Sequence, residues 1–238
     1  MTTNKLKLNG DNTELIILLP PFNRQDTNVE HIQVGTSTIS PVLSVRSLGV
    51  VFDCHLSVGN HVRKVCSIIY CHFRNISSIK TYYAVGLVHA FVSHRLDYCN
   101  SLLSGISKGL LHKLQRVQNM SARMISGTKR YNHIIPIIKC LCWLSVEQGI
   151  KFNILLFTYK ALIGAAPSYI RDLLTIHVGQ RQLRFSYQNI LLIPKTTGDR
   201  TFIYQVPTAW NAFPESIRPM KTFGTFKRHV KTYLFQLP

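Results

Sequence analysis

Acidic side chains are scarce. Asp and Glu number 10 against 28 Lys and Arg in 238 residues, a formal net charge of +18. So few carboxylates leave little material for acid–base or metal catalysis. The nearest pairs, Asp11/Glu14 and Asp26/Glu30, stand in or beside turn-rich segments and read as caps or solvated charges. No two aspartates are adjacent or alternate, which excludes a two-metal phosphoryl-transfer site within these residues. No Gly-x-x-x-x-Gly-Lys loop is present to cradle a nucleotide phosphate. The six cysteines form no Cys-x-x-Cys pair, and Cys66 and Cys71 would diverge by about 140° on a helix. Free thiols in a reducing compartment are the reading, with no metal site.

Long apolar runs are missing too. Leu15 to Phe22 and Ile134 to Ile138 fall far short of the roughly 20 residues a membrane span needs. The polar segment from Met1 to Asp11 reads as no signal peptide. The expectation is an intracellular chain, nuclear or cytoplasmic, with no membrane partner and no small-molecule ligand.

The basic surplus is unevenly placed. Residues 1–53 carry a net charge of −1, and residues 54–238 carry +19. Such a field favours a polyanion, with nucleic acid the first candidate and an anionic membrane the second.

Periodicity divides the chain. Thr13 to Leu19, closed by Pro20-Pro21, reads as a short buried strand, and His31 to Ile39 as a small hairpin about Gly35. Val45 to Phe52 reads as a third strand ending at Asp53, with Gly49 a point of close backbone approach. From Ser57, a candidate N-cap, the period turns helical: Val58, Val62, Val65, Ile69, Phe73 and Ile76 recur at three- and four-residue steps. Tyr82 to Leu103 reads as a second helical stretch, with Leu87, Phe91, Leu96 and Leu103 among its apolar positions.

Leu110 to Ile125 carries the clearest signal. Leu110, Leu114, Val117, Ser121 and Ile125 fall within an arc of about 80°, and Lys113, Arg116 and Arg123 within a separate arc of about 80°. Gly127 closes that helix, and Lys129-Arg130 follow it. Phe152 to Leu162 is apolar nearly all round and predicts a central helix, stopped by Gly164-Ala-Ala-Pro167. Asn189 to Ile193 and Thr201 to Gln205 read as extended segments around Thr197-Gly198-Asp199. A last helix, Thr222 to Phe235, sets Phe223, Phe226, Val230 and Tyr233 against Lys227, Arg228 and Lys231.

These residues carry a resemblance. Leu8-Asn-Gly-Asp-Asn-Thr-Glu14, Leu48-Gly-Val-Val-Phe-Asp53, Arg95-Leu-Asp-Tyr-Cys-Asn100 and Leu114-Gln-Arg-Val-Gln-Asn119 occur in order with Ala122-Arg123. Thr158-Tyr-Lys-Ala-Leu162, Ala166-Pro167, Trp210-Asn211, Phe213-Pro214 and Thr225-Phe226-Lys227 follow. In this order and spacing the chain resembles, over essentially its whole length, the C-terminal part of the reverse transcriptase of non-LTR retrotransposons of the LINE, jockey-like type. The resemblance implies an α+β chain: a strand-rich palm remnant over 1–56, a helical thumb over 57–130 and a mainly helical C-terminal region over 131–238. It implies RNA-directed DNA synthesis as the parent activity, with Mg²⁺ held by aspartates that would precede Met1. No catalytic or metal residue is therefore expected here, nor a cofactor. What is expected is template–primer binding (RNA template, DNA primer) through Lys113, Arg116, Arg123, Lys129, Arg130, Lys227, Arg228 and Lys231. The rival expectation is an inert translated remnant or a protein-interaction module.

Overall fold

The structure, a computed structural model, describes residues 13–18, 29–35, 37–78, 81–177, 190–195 and 200–237. Short antiparallel strands come first and helices follow, so the class is α+β. The chain divides into two compact units, Met1–Lys64 and Val65–Pro238.

The first unit holds two hairpins. β1 (Ile32–Val34) pairs with β2 (Ser37–Ile39), Ile32 opposite Ile39, about Gly35 at φ 61°. This is the hairpin the sequence predicts. β3 (Ser44–Ser47) pairs with β4 (Val50–Asp53), Ser44 opposite Asp53 and Ser47 opposite Val50. The single strand expected over Val45 to Phe52 is thus a hairpin. Its turn residues, Leu48 at φ 47° and Gly49 at φ 82°, are both left-handed, the two-residue geometry whose twist matches the flanking strands. Gly49 serves that turn. The strand expected over Thr13 to Leu19 is also corrected. Among residues 13–18 only Leu15 is bridged, to Pro41, and Leu18 is 55% exposed. Pro20-Pro21 and Leu8 to Asn12 lie outside the described residues.

Asp53 ties β4 to the chain that follows. Its carboxylate is buried and accepts hydrogen bonds from the Ser57 backbone N–H and the Ser57 hydroxyl. Ser57 Oγ in turn accepts from Gly59 N–H at 3.3 Å, the first residue of α1 (Gly59–Ile76). Ser57 therefore acts one residue ahead of the cap position. Burial pushes the Asp53 carboxyl up, but the Ser57 side-chain and backbone hydrogen bonds, with the His55 backbone N–H and charge, outweigh it and hold it below its usual 3.8. A depressed folded-state value means that ionised Asp53 stabilises this unit above the unfolded value and loses that contribution as pH falls through the folded one. Asp53→Ala should cost about 1–3 kcal/mol at neutral pH, because buried donors lose their acceptor. Urea melts at pH 7 and pH 3 should show the difference between the proteins shrinking at the lower pH.

In the second unit the later turns of α1 bury Ile69, Phe73 and Ile76 as predicted, and Cys66 in place of the expected Val65, which is half-buried. The helical stretch expected over Tyr82 to Leu103 is four pieces. α2 (Thr81–Val88) runs into a π-turn, His89–Ser93, then α3 (His94–Asp97) and a 3₁₀ turn, Asn100–Leu103. The His94 N–H reaches back five residues to His89 O. Val88, Val92 and the expected Leu103 are buried, whereas the expected Leu87, Phe91 and Leu96 are not. The break before the 3₁₀ turn is Cys99, left-handed at φ 53°.

α4 (Lys108–Ser126) buries Leu114, Val117, Ser121 and Ala122 and ends at Gly127, left-handed at φ 64°, as predicted. α5 (Ile135–Cys140), with a proline in its first turn, was not signalled by period. α6 (Val146–Leu162) is the central helix, packing on α4, on the 3₁₀ turn and on two helices downstream. It starts six residues before the predicted Phe152, at a capping box: Gln148 N–H donates to Ser145 Oγ, and Ser145 N–H donates to Gln148 Oε1.

α7 (Ser168–Arg171) is one turn. α8 (Phe202–Asn211) replaces the extended segment expected over Thr201 to Gln205. The β-branched and aromatic run there is overridden by packing, since Val206 and Trp210, four apart, are each 1% exposed. Asn211 then clamps the extended residues near Leu191, accepting its N–H at 2.9 Å and donating to its carbonyl at 2.7 Å. Asn189 and Thr197 to Asp199 lie outside the described residues. α9 (Phe223–Gln236) is the predicted last helix and buries Phe226, Val230 and Leu234. No helix among the described residues is long and apolar enough to cross a membrane.

Candidate nucleic-acid interface

The expected contact residues lie on α4, on the loop after it and on α9. On α4, burial of Leu114 and Val117 turns Lys113 and Arg116 outward, and both are exposed. Lys113 also stands near Cys66: burial pushes that thiol up, and the Lys113 charge partly pulls it back.

Arg123 does something different. Its guanidinium donates to the carbonyls of Lys129, at 2.8 Å, and Asn132, at 3.1 and 3.0 Å. It therefore pins the loop that carries Lys129 and Arg130. Lys129 stands 5.9 Å from the centre of the Tyr131 ring, so a cation and an aromatic face are offered together. Arg123→Gln should destabilise the second unit by about 1–3 kcal/mol through the carbonyls it leaves behind. The melting temperature and the amide exchange of residues 129–132 would report it, whereas Arg116→Gln should leave both unmoved.

On α9, Lys227, Arg228 and Lys231 are all exposed. Lys231 lies 5.8 Å from the centre of the Phe235 ring. The structure brings Lys227 and Lys231 to one place, the mouth of a cavity of about 410 Å³ inside the second unit. Arg228, Lys113, Arg116, Arg123, Lys129 and Arg130 are not on its wall.

Sequence reasoning missed this cavity. Its floor includes Asn100, 4% exposed, which accepts a 2.7 Å hydrogen bond from Asn153 Nδ2. Trp143 of the α5–α6 loop stands edge-on to His89 of the π-turn, 5.5 Å between ring centres, and both line it. Asp97 is beside them; although the residue is exposed, the protein packed around its carboxyl pushes it up, and the His94 and His89 charges draw it partly back. Backbone departures gather here as well: the π-turn, and left-handed Cys142 at φ 54°. Such features concentrate where a fold is held for use. The only trace in the sequence is that Asp97 and Asn100 belong to the Arg95–Asn100 motif.

Other chemistry finds no support in the geometry. Gly105-Ile-Ser-Lys-Gly109 has the spacing of a nucleophile elbow. Ser107, however, follows a 3₁₀ turn and not a strand, and among the described residues its hydroxyl has no imidazole partner. Gly105, at φ 68°, is required for packing: a Cβ there would meet Arg200 Cγ at 2.9 Å. Among the described residues no three His, Cys, Asp or Glu side chains converge on a metal position. Compared with known proteins, the chain matches no family model, no curated protein and no solved structure.

Proposed function

We propose that the chain is the C-terminal part of a non-LTR retrotransposon reverse transcriptase and that its role is to hold template and primer. The chemistry of DNA synthesis belongs to residues this chain does not contain. The single observation that carries this reading is the unneutralised charge of the helical unit. Among the described residues one ion pair occurs, Lys151 with Glu147 at 2.8 Å, and it involves none of the eight expected contact residues. Seven of the eight are exposed, and Arg123 is half-buried. Like charges left without acidic partners repel, and a phosphate backbone relieves that repulsion while releasing its counterions. Helices suit the task, because rigid rods hold cations at fixed spacing and phosphate contacts position a strand without reading its sequence.

The test sets nucleic acid against the other polyanion surface. The chain is titrated with a labelled RNA–DNA hybrid and, separately, with vesicles of anionic phospholipid. The hybrid should bind with a Kd of about 10⁻⁴–10⁻⁶ M near physiological salt, whatever its sequence. Absent hybrid binding, or tighter binding to the vesicles, would overturn the reading.

A further inference from the structure

Resting on the nucleic-acid reading for its choice of ligand, and on geometry for its place, we propose that the cavity between α3, α6 and α9 receives one nucleotide unit. Its base would enter toward Asn100 and Asn153, and its phosphate would lie on Lys227 and Lys231.

Four features point the same way. The first is size: about 410 Å³ falls in the range of sites that enclose small ligands. The second is an incomplete hydrogen-bond pattern on the floor. Asn153 Nδ2 donates to Asn100 Oδ1, which leaves Asn100 Nδ2 as a donor and Asn153 Oδ1 as an acceptor with no partner among the described residues. Asn100 is 4% exposed, and both amides line the cavity. A donor beside an acceptor is what the edge of a nucleobase complements. The third feature is the wall, where Trp143 and Phe152 offer flat apolar surface to a planar ring.

The fourth is charge. Lys227 and Lys231 are four apart on α9, so both project to one side of the helix, and both reach the cavity mouth. Arg228, one residue on, does not. Neutral amides within and two ammonium groups at the entrance describe a ligand with a polar planar body and an anionic tail. Asp97, the one carboxylate on the wall, is an acceptor for an exocyclic amine. Free nucleotide and a nucleotide splayed from a strand share this chemistry, and the experiment separates them.

Trp143 lines the cavity while Trp210, the other tryptophan, is 1% exposed in the core. Their indole N–H resonances are therefore a reporter and an internal control in one protein. A nucleoside 5′-monophosphate should move the Trp143 signal and leave Trp210 in place. The matching nucleoside should move it at about tenfold higher concentration, since a charged contact is worth about a factor of ten. An oligonucleotide with an unpaired end should compete if the occupant belongs to a strand; failure to compete beside a monophosphate response assigns the cavity to free nucleotide.

Two variants divide the site. Lys227→Gln with Lys231→Gln should weaken the monophosphate about tenfold and leave the nucleoside unchanged. Gly149→Met is the blocking variant. Gly149 lies on α6 at the cavity wall, and a Cβ there meets only Asn100 Nδ2, at 3.8 Å, so the longer side chain occupies the space without a backbone clash. It replaces a helix-weakening residue with a good helix former, and thermal stability should hold or rise. Binding of both ligands should be lost. A silent Trp143 signal with every ligand, or full binding by a folded Gly149→Met protein, overturns the cavity assignment. If hybrid binding persists while Trp143 is silent, the cavity assignment alone has failed. If monophosphate binds while no hybrid does, the strand-holding reading has failed instead.

Discussion

Phe226→Ala should lower the stability of the second unit by about 3–5 kcal/mol, the cost of emptying an aromatic site in a packed core. Phe226 is fully buried and stacks on Tyr159 with ring centres 4.2 Å apart. Trp210 and Phe213 lie against it at 5.9 and 6.1 Å. Those three rings belong to α6, α8 and the turn after α8, so one side chain of α9 meets all three segments. The Tyr159 hydroxyl, held at 2.6 Å by the Met220 carbonyl, fixes the ring that Phe226 stacks on. A melting temperature lower by on the order of 10 °C is expected for a unit of this size. Tyr159→Phe keeps the ring and removes only that bond, so it should cost about 1 kcal/mol. Equal losses from the two changes would mean that the stack is not what holds α9.

The second large effect is on affinity. Replacing Lys113, Arg116, Lys227 and Lys231 by Gln removes four exposed charges and keeps good helix formers. If each contacts one phosphate, the slope of log K against log salt should flatten by about 3–4 on duplex or hybrid. Circular dichroism should be unchanged, because among the described residues none of the four anchors a hydrogen bond. Arg123 is left out on purpose, since its guanidinium supports the loop at 129–132 and its loss would mix folding with binding.

How legible these features were depends on what enforces each one. α4 was plain in the sequence because a single face packs and the other is solvated, so its period survives intact from Leu110 to Ile125. The second helical stretch was not. Its apolar residues keep a helical period through the π-turn, and only the backbone bond from His94 to His89 reveals that turn. The β3–β4 turn carries Leu48-Gly49, where Leu is a poor signal for a left-handed position, so two strands read as one. α8 looked extended because Phe202 to Val206 favours strands locally, and the burial of Val206 and Trp210 is a tertiary fact. The α6 capping box has a legible sequence form, Ser145-x-x-Gln148, just ahead of an apolar run.

The site shows the same split. Charge on Lys113, Arg116, Lys227, Arg228 and Lys231 is countable from sequence. That Arg123 supports a loop, and that Asn100 meets Asn153 across 53 positions, follows only from the folded chain.

The central claim, that the helical unit grips a phosphate backbone, turns on salt. Fluorescence anisotropy of the intact chain with a random-sequence RNA–DNA hybrid, repeated between about 50 and 200 mM salt, measures it directly. The account predicts a linear fall of log K with log salt, of slope at least about 3–4 in magnitude and the same for unrelated sequences. An affinity that is flat in salt, or that depends on sequence more than on salt, would contradict it.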